Sequence, residues 1–153
     1  MYIIDIIGKE SRIEFQSAHM IPDSEQCSHL HGHSYTIDAK VSGEVEGSML
    51  VDFALLKNAL RDIAALFDHR MIIPEGDGRF TIGEKSVRAV VNGREYLFPV
   101  EDCFVLKREA CTAELLAEFI HEELLKRMFE LKGFEVVIGI SEGLGSRAWY
   151  REP

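Results

Sequence analysis

The chain has 153 residues, 46% hydrophobic and 28% charged, the make-up of one folded domain rather than a disordered polymer. Its 26 acidic residues outnumber 17 basic ones for a formal charge of -9, which argues against broad binding to nucleic-acid phosphates or anionic membranes. No apolar run approaches the roughly 18 residues of a membrane span, and three irregularly spaced cysteines argue against a disulfide framework.

The opening MYIIDIIGKE is interrupted by Asp5 and Lys9 too early for a secretion signal, so the expectation is a cytoplasmic protein with reduced thiols. Residues 2–17 alternate loosely and predict a long strand, or a bent pair with the bend at Gly8. Residues 33–45 set Tyr35, Ile37, Ala39 and Val41 against polar neighbours and predict a half-buried antiparallel strand. The segment 20–32 between them is expected to be a loop. Asp52 is placed to cap a helix running to about Phe67, with Leu55, Leu56, Ala59, Leu60, Ile63 and Leu66 as its apolar stripe.

Residues 74–108 carry turn signals between short β-branched and aromatic runs. The Asn92-Gly93 pair predicts a hairpin, and its flanks Val90, Val91, Tyr96, Leu97 and Phe98 suggest a cover for an assembly's rim or a neighbouring subunit. Thr112 is placed to cap a second helix, striped by Leu115, Leu116, Phe119, Ile120, Leu124 and Leu125 and ending at Gly133. FEVVIGISE and SRAWYRE read as a closing strand pair. The order predicts a single α+β domain over 1–153, an antiparallel sheet with two helices on one face and a small β insertion at 75–108.

Four of the six histidines fall between residues 15 and 35. His31 and His33 lie two apart, which on a strand puts both imidazoles on one face. His19 ends the preceding strand, from which an antiparallel neighbour reaches that face. Three neutral imidazoles with a fourth position open suit a catalytic zinc ion, whereas the plainer reading of an H-x-H pair is two hydrogen-bonded surface histidines. His29 shares the parity and is the rival ligand. Cys27, in a polar loop four residues before this cluster, is a candidate base or nucleophile. Cys103 and Cys111 read as small buried hydrophobes, and His121 as a surface residue. Asp68-His69, just past a helix end, is a candidate proton-carrying pair.

In chain order these residues resemble the 6-pyruvoyl-tetrahydropterin synthase family: F-x-x-A-H (Phe15 to His19), C-x-x-x-H-G-H-S-Y (Cys27 to Tyr35), V-D-F with L-K (Val51 to Lys57), D-H-R (Asp68 to Arg70), T-A-E (Thr112 to Glu114) and the late-strand Glu142. The resemblance spans nearly the whole chain except residues 75–108. It implies the tunnelling fold, in which subunits pool their sheets into a β-barrel, commonly a hexamer of two trimers. It implies Zn2+ on His19, His31 and His33, with Cys27, Asp68 and His69 as the catalytic, proton-transferring set assembled across a subunit interface. Glu142 matches the carboxylate that grips the pterin edge, with Thr112 and Glu114 lining the same site.

The three-residue gap between Cys27 and His31 resembles the 6-carboxytetrahydropterin synthase branch. That branch implies a zinc-dependent lyase making 6-carboxy-5,6,7,8-tetrahydropterin from a pterin triphosphate, 7,8-dihydroneopterin triphosphate, in 7-deazaguanine (queuosine or archaeosine) biosynthesis. The near alternatives are a pyruvoyl or hydroxymethyl product. An alternative of another class is a non-catalytic zinc- or pterin-binding module. Arg70, Lys107 and Arg108 are candidates for meeting the triphosphate. The chain departs from the family pattern at Ala110, Cys111, Leu115 and Gly143, which leaves the metal set intact and bears on the substrate side chain.

Overall fold

In the computed structural model, which describes residues 1–153, strand β3 (His31–Gly43) is the element that the others are built around. Its period of two turns Tyr35, Ile37, Ala39 and Val41 to one side, and all four are fully buried. Strand β2 (Glu14–His19) pairs antiparallel with the first half of β3, and β1 (Tyr2–Ile6) with its second half. The bend between β1 and β2 requires glycine, because a Cβ at Gly8 would collide with the Ile37 carbonyl. The Gly8 N–H donates to buried Asp38 at 2.8 Å, closing the bend onto β3.

Asp52 caps helix α1 (Phe53–Phe67), its carboxylate accepting from the Ala54 and Leu55 N–H groups. The capping oxygen satisfies first-turn donors that no helical carbonyl can reach. Leu56, Leu60, Ile63, Ala64 and Phe67 are its buried stripe, while Leu55 is 55% exposed. Thr112 caps helix α2 (Ala113–Arg127), which buries Leu116, Ala117, Ile120, His121 and Leu124. Both helices pack on the face of β3 that carries Tyr35, forming one core of 26 buried residues.

The structure corrects two sequence expectations about helix α2. Helix α2 stops at Arg127, not Gly133, because Met128 leaves helical dihedrals and the chain makes a short 3-10 turn that buries Leu131. Gly133, at φ 95°, then turns the chain into β9 (Glu135–Ser141). His121 is 3% exposed rather than on the surface, its ring edge-on to Tyr150 of strand β10 (Ala148–Arg151).

The main sheet runs β10-β9-β3-β2-β4-β8, with β1 also on β3; β4 is Arg70–Pro74 and β8 is Cys103–Leu106. The pairs β2/β4 and β4/β8 are parallel, so the sheet is mixed rather than wholly antiparallel. Parallel neighbours need long connections; the chain through α1 supplies one and residues 75–102 the other. Within the latter, β5 (Phe80–Ile82), β6 (Ser86–Val91) and β7 (Arg94–Pro99) form a second, three-stranded sheet. Asn92 and Gly93, both at positive φ, make its two-residue hairpin turn. Phe80, Val87, Ala89 and Val91 of this sheet bury against Met20, Met71, Ile73 and Cys103, with Tyr96 and Phe98 packed alongside. Val90 and Leu97 stay exposed.

Candidate active site

The β2–β3 register places His19 opposite His31 and Ser17 opposite His33, so three imidazoles share one face of the sheet. Their ring centroids are 4.7, 5.1 and 5.0 Å apart, a near-equilateral triangle. One donor atom from each lies within 4.8 Å of the others. His29, the rival ligand, is exposed and outside this cluster; its carbonyl instead accepts from His31 Nδ1 at 2.7 Å.

That bond fixes a tautomer. With Nδ1–H of His31 donating to His29 and Nδ1–H of His19 donating to the Cys111 carbonyl at 2.9 Å, both Nε2 atoms present lone pairs. These two atoms are only 3.1 Å apart. Two lone pairs at that distance repel unless a proton or a cation lies between them. Two tetrahedral ligands at zinc's usual bond length would sit about 3.3–3.4 Å apart, so the donor set fits that ion.

The electrostatics agree. Burial, opposed by the Cys111 carbonyl and reinforced by the other two imidazoles, holds the His19 pKa down to about 4, leaving it neutral at pH 7. Glu142, whose carboxylate oxygens are 3.9 and 3.7 Å from Nε2 of His19 and of His33, therefore makes no ion pair with His19. The Tyr35 hydroxyl stands 3.1 Å from His19 Nδ1; burial first, then the Glu142 charge, push its pKa up and keep it protonated.

Thr112, Glu114 and Glu142 line one cleft of about 360 Å³, together with Ile21, Ser146 and Arg147. His33 and His69 line another, of about 670 Å³, with Gln16 and Arg70. Asp68 and His69 are joined at 2.9 Å between Oδ2 and Nδ1. Both are pinned by one residue of β2: the Gln16 N–H donates to Asp68 Oδ1 at 2.8 Å, and its carbonyl accepts the His69 N–H at 2.7 Å. The Gln16 bond, followed by the His69 contact, keeps the Asp68 carboxyl ionised below the usual range against a burial effect that works the other way. His69 holds a left-handed φ of 59°, a conformation uncommon outside glycine that this double anchorage sustains.

Cys27 is half-buried in the loop after β2 and lines neither cleft. Cys111 is fully buried and its thiol is pushed up to about 12 by burial, so its part in the site is the carbonyl that orients His19. Arg108 is ruled out as a free phosphate contact, because Glu118 and Glu122 hold its guanidinium at 3.2 and 2.7 Å. Lys107 is exposed. The Cys111 carbonyl, the Gln16 backbone and Arg147 escaped the sequence reading. Backbone groups carry no side-chain signal, and Arg147 sits in no ligand-like spacing.

A family model described as 6-pyruvoyl tetrahydropterin synthase matches residues 9–153. An Aquifex aeolicus protein named 6-carboxy-5,6,7,8-tetrahydropterin synthase is 35% identical, over 83% of this chain and 76% of its own. A Methanocaldococcus jannaschii protein provisionally given the same name is 31% identical, over 98% of this chain and 96% of its own. The crystal structure of Plasmodium vivax 6-pyruvoyltetrahydropterin synthase matches with a TM-score of 0.88 over 99% of both chains, at 22% identity. That likeness establishes a shared fold.

Proposed function

The chain belongs to the 6-pyruvoyl tetrahydropterin synthase family, and from that premise we propose that it is a zinc-dependent lyase in 7-deazaguanine biosynthesis. The reaction takes 7,8-dihydroneopterin triphosphate and water to 6-carboxy-5,6,7,8-tetrahydropterin, acetaldehyde and triphosphate. The observation that carries the metal reading is the pair of backbone-locked tautomers aiming the Nε2 atoms of His19 and His31 at one point 3.1 Å across. The names of relatives 31% and 35% identical support the choice of product.

His19, His31 and His33 would hold the zinc ion, which when bound would supply Lewis-acid polarisation of the substrate side chain's oxygens. The protein's own groups do the rest. Glu142 accepts two parallel N–H bonds from the amino-pyrimidinone edge, and Thr112 and Glu114 wall the same cleft. Cys27, as thiolate, removes a proton from the side chain. His69 carries a second proton, and Asp68 holds its Nδ1 so that Nε2 faces the exchange. Arg70, the one earlier candidate that lines the His33–His69 cavity, meets the phosphates. Cys27 does not line the cavity that holds His69, in keeping with a site completed between subunits of a hexamer of two trimers. The exposed Tyr2, Ile3, Met49, Phe53 and Leu55 are apolar surface suited to burial in such an assembly. Three free cysteines accord with a reducing cytoplasm.

Mass spectrometry of the products made by zinc-loaded protein from 7,8-dihydroneopterin triphosphate tests the reading. 6-Carboxytetrahydropterin with acetaldehyde is the expected result. A pyruvoyl or hydroxymethyl product moves the chain to a sister activity, and zinc and pterin binding without turnover makes it a binding module.

A further inference from the structure

Cys27 sits in a loop, residues 20–30, that contains no helix or strand, although its neighbours His19 and His31 close on regular elements. Inside the loop, the Ile21 N–H donates to the Cys27 carbonyl at 2.8 Å and the Cys27 N–H to Ser24 Oγ at 3.2 Å. These bonds shape the turn but do not attach it to the body of the protein. Side chains anchor the two ends of the loop, the Cys111 thiol on the Met20 carbonyl and His31 Nδ1 on the His29 carbonyl, while the attachments between those ends come from Arg94 and Arg79 of the insertion. Arg94, the first residue of β7, donates through Nη2 to the carbonyl of Ser28 at 3.1 Å and to its hydroxyl at 3.2 Å. Its Nε donates to the Tyr96 hydroxyl at 3.1 Å, which sets the direction of the guanidinium. On the other side of Cys27, Arg79 grips both carboxylate oxygens of Asp23 at 2.8 and 3.2 Å while its Nε and Nη2 hold Asp77 at 2.8 Å each.

The two attachments are not equal. Asp23 is 85% exposed, where a salt bridge contributes little. Ser28 is 1% exposed and adjoins Cys27, so the bonds from Arg94 act where water does not compete.

We propose that Arg94 is a positioning residue for Cys27, with Arg79 as a weaker outer clamp, so that the β5–β7 insertion is part of the active-site apparatus. The proposal rests on Cys27 being the proton carrier, but its structural content is tested without turnover. Iodoacetamide reports on Cys27 in the folded full-length protein, since Cys103 and Cys111 are 7% and 0% exposed.

In Arg94→Met, amide exchange at Cys27, Ser28 and His29 should accelerate by about tenfold, equivalent to the loss of roughly one hydrogen bond. The alkylation rate of Cys27 should change several-fold, while exchange in β6 and β7 stays as in the parent. Asp23→Asn should give the same pattern, weaker. In turnover, kcat should fall with KM and zinc content unchanged, and Arg94→Lys, able to reach one acceptor, should recover part of it. Should Arg94→Met fail to fold, Arg94→Lys and Ser28→Ala decide by the same exchange and alkylation readouts. Parent-like exchange and alkylation in these variants overturns the proposal, as does acceleration across β6 and β7 in parallel with the loop. If the parent protein itself makes no product, the functional reading fails while the loop measurements still decide this one.

Discussion

At the scale of single residues, the proposed mechanism divides the site into groups that bind and groups that move protons, and substitution separates them. Cys27 is not one of the three donors of the imidazole cluster, so Cys27→Ala should retain full zinc content and lose about 10²–10⁴-fold in kcat, the usual worth of a positioned proton carrier. Metal analysis beside steady-state kinetics checks this, and an active Cys27→Ala would remove the thiol from the mechanism. Asp77 offers a pH prediction. Burial, the largest single influence, favours its neutral form, but the side-chain, backbone and charge contributions of Arg79 together win and leave the carboxyl below its ordinary value. A depressed folded value means stability that is complete above about pH 4 and lost as pH falls through the folded titration. Asp77→Asn should cost about 1.5–3 kcal/mol at pH 7, roughly 5–9 °C in Tm. Its melting temperature should also fall less steeply below pH 4 than the parent's, which thermal melts across pH will show.

At the scale of elements, the β5–β7 sheet is the part whose status the chain order leaves open. It shares a core with the main sheet through Met20, Met71 and Ile73, so it is braced by the segment that follows His19. Phe80→Ala should therefore destabilise the whole molecule by about 3–5 kcal/mol in a single cooperative transition. A separate early transition in calorimetry, with the main unfolding unmoved, would show the insertion to be an appendage. The parallel pairing of β4 with β2 and β8 has the same lesson: the insertion returns Cys103–Leu106 to the main sheet and thereby completes its edge.

For the whole molecule, the proposed metal site implies that binding is coupled to folding. No ion is bridged in the unfolded chain, so zinc at about 100 times its Kd should add about 2.7 kcal/mol, roughly 5–11 °C in Tm. His33→Ala should abolish most of that shift, and thermal shift with zinc against chelator measures both. An unchanged melting temperature with zinc would sink the metal reading. No helix of the chain is long and apolar enough to cross a membrane, and part of the exposed apolar surface, Tyr2, Ile3, Phe53 and Leu55, lies on β1 and at the start of α1.

Much of this was written locally. The period-two alternation of Tyr35 to Val41 and the spacing of the α1 and α2 stripes determined strands, helices and the α+β class, because those signals depend only on backbone geometry. Asp52 and Thr112 marked the helix starts because a cap is a contact between near neighbours in sequence. The two-residue step from His31 to His33 likewise put two imidazoles on one face before any tertiary contact was known. What the chain alone left open involves partners distant in sequence. His121 is buried because Tyr150 lies across from it, and α2 ends early because Met128 and Leu131 are drawn into the core. The tautomer of His19 depends on a carbonyl 92 positions away, and the Cys27 loop is held by arginines 56 and 66 positions beyond the residues they grip. Periodicity and caps are read from a window of residues, whereas a hydrogen bond across the fold exists only once packing has brought its two ends together.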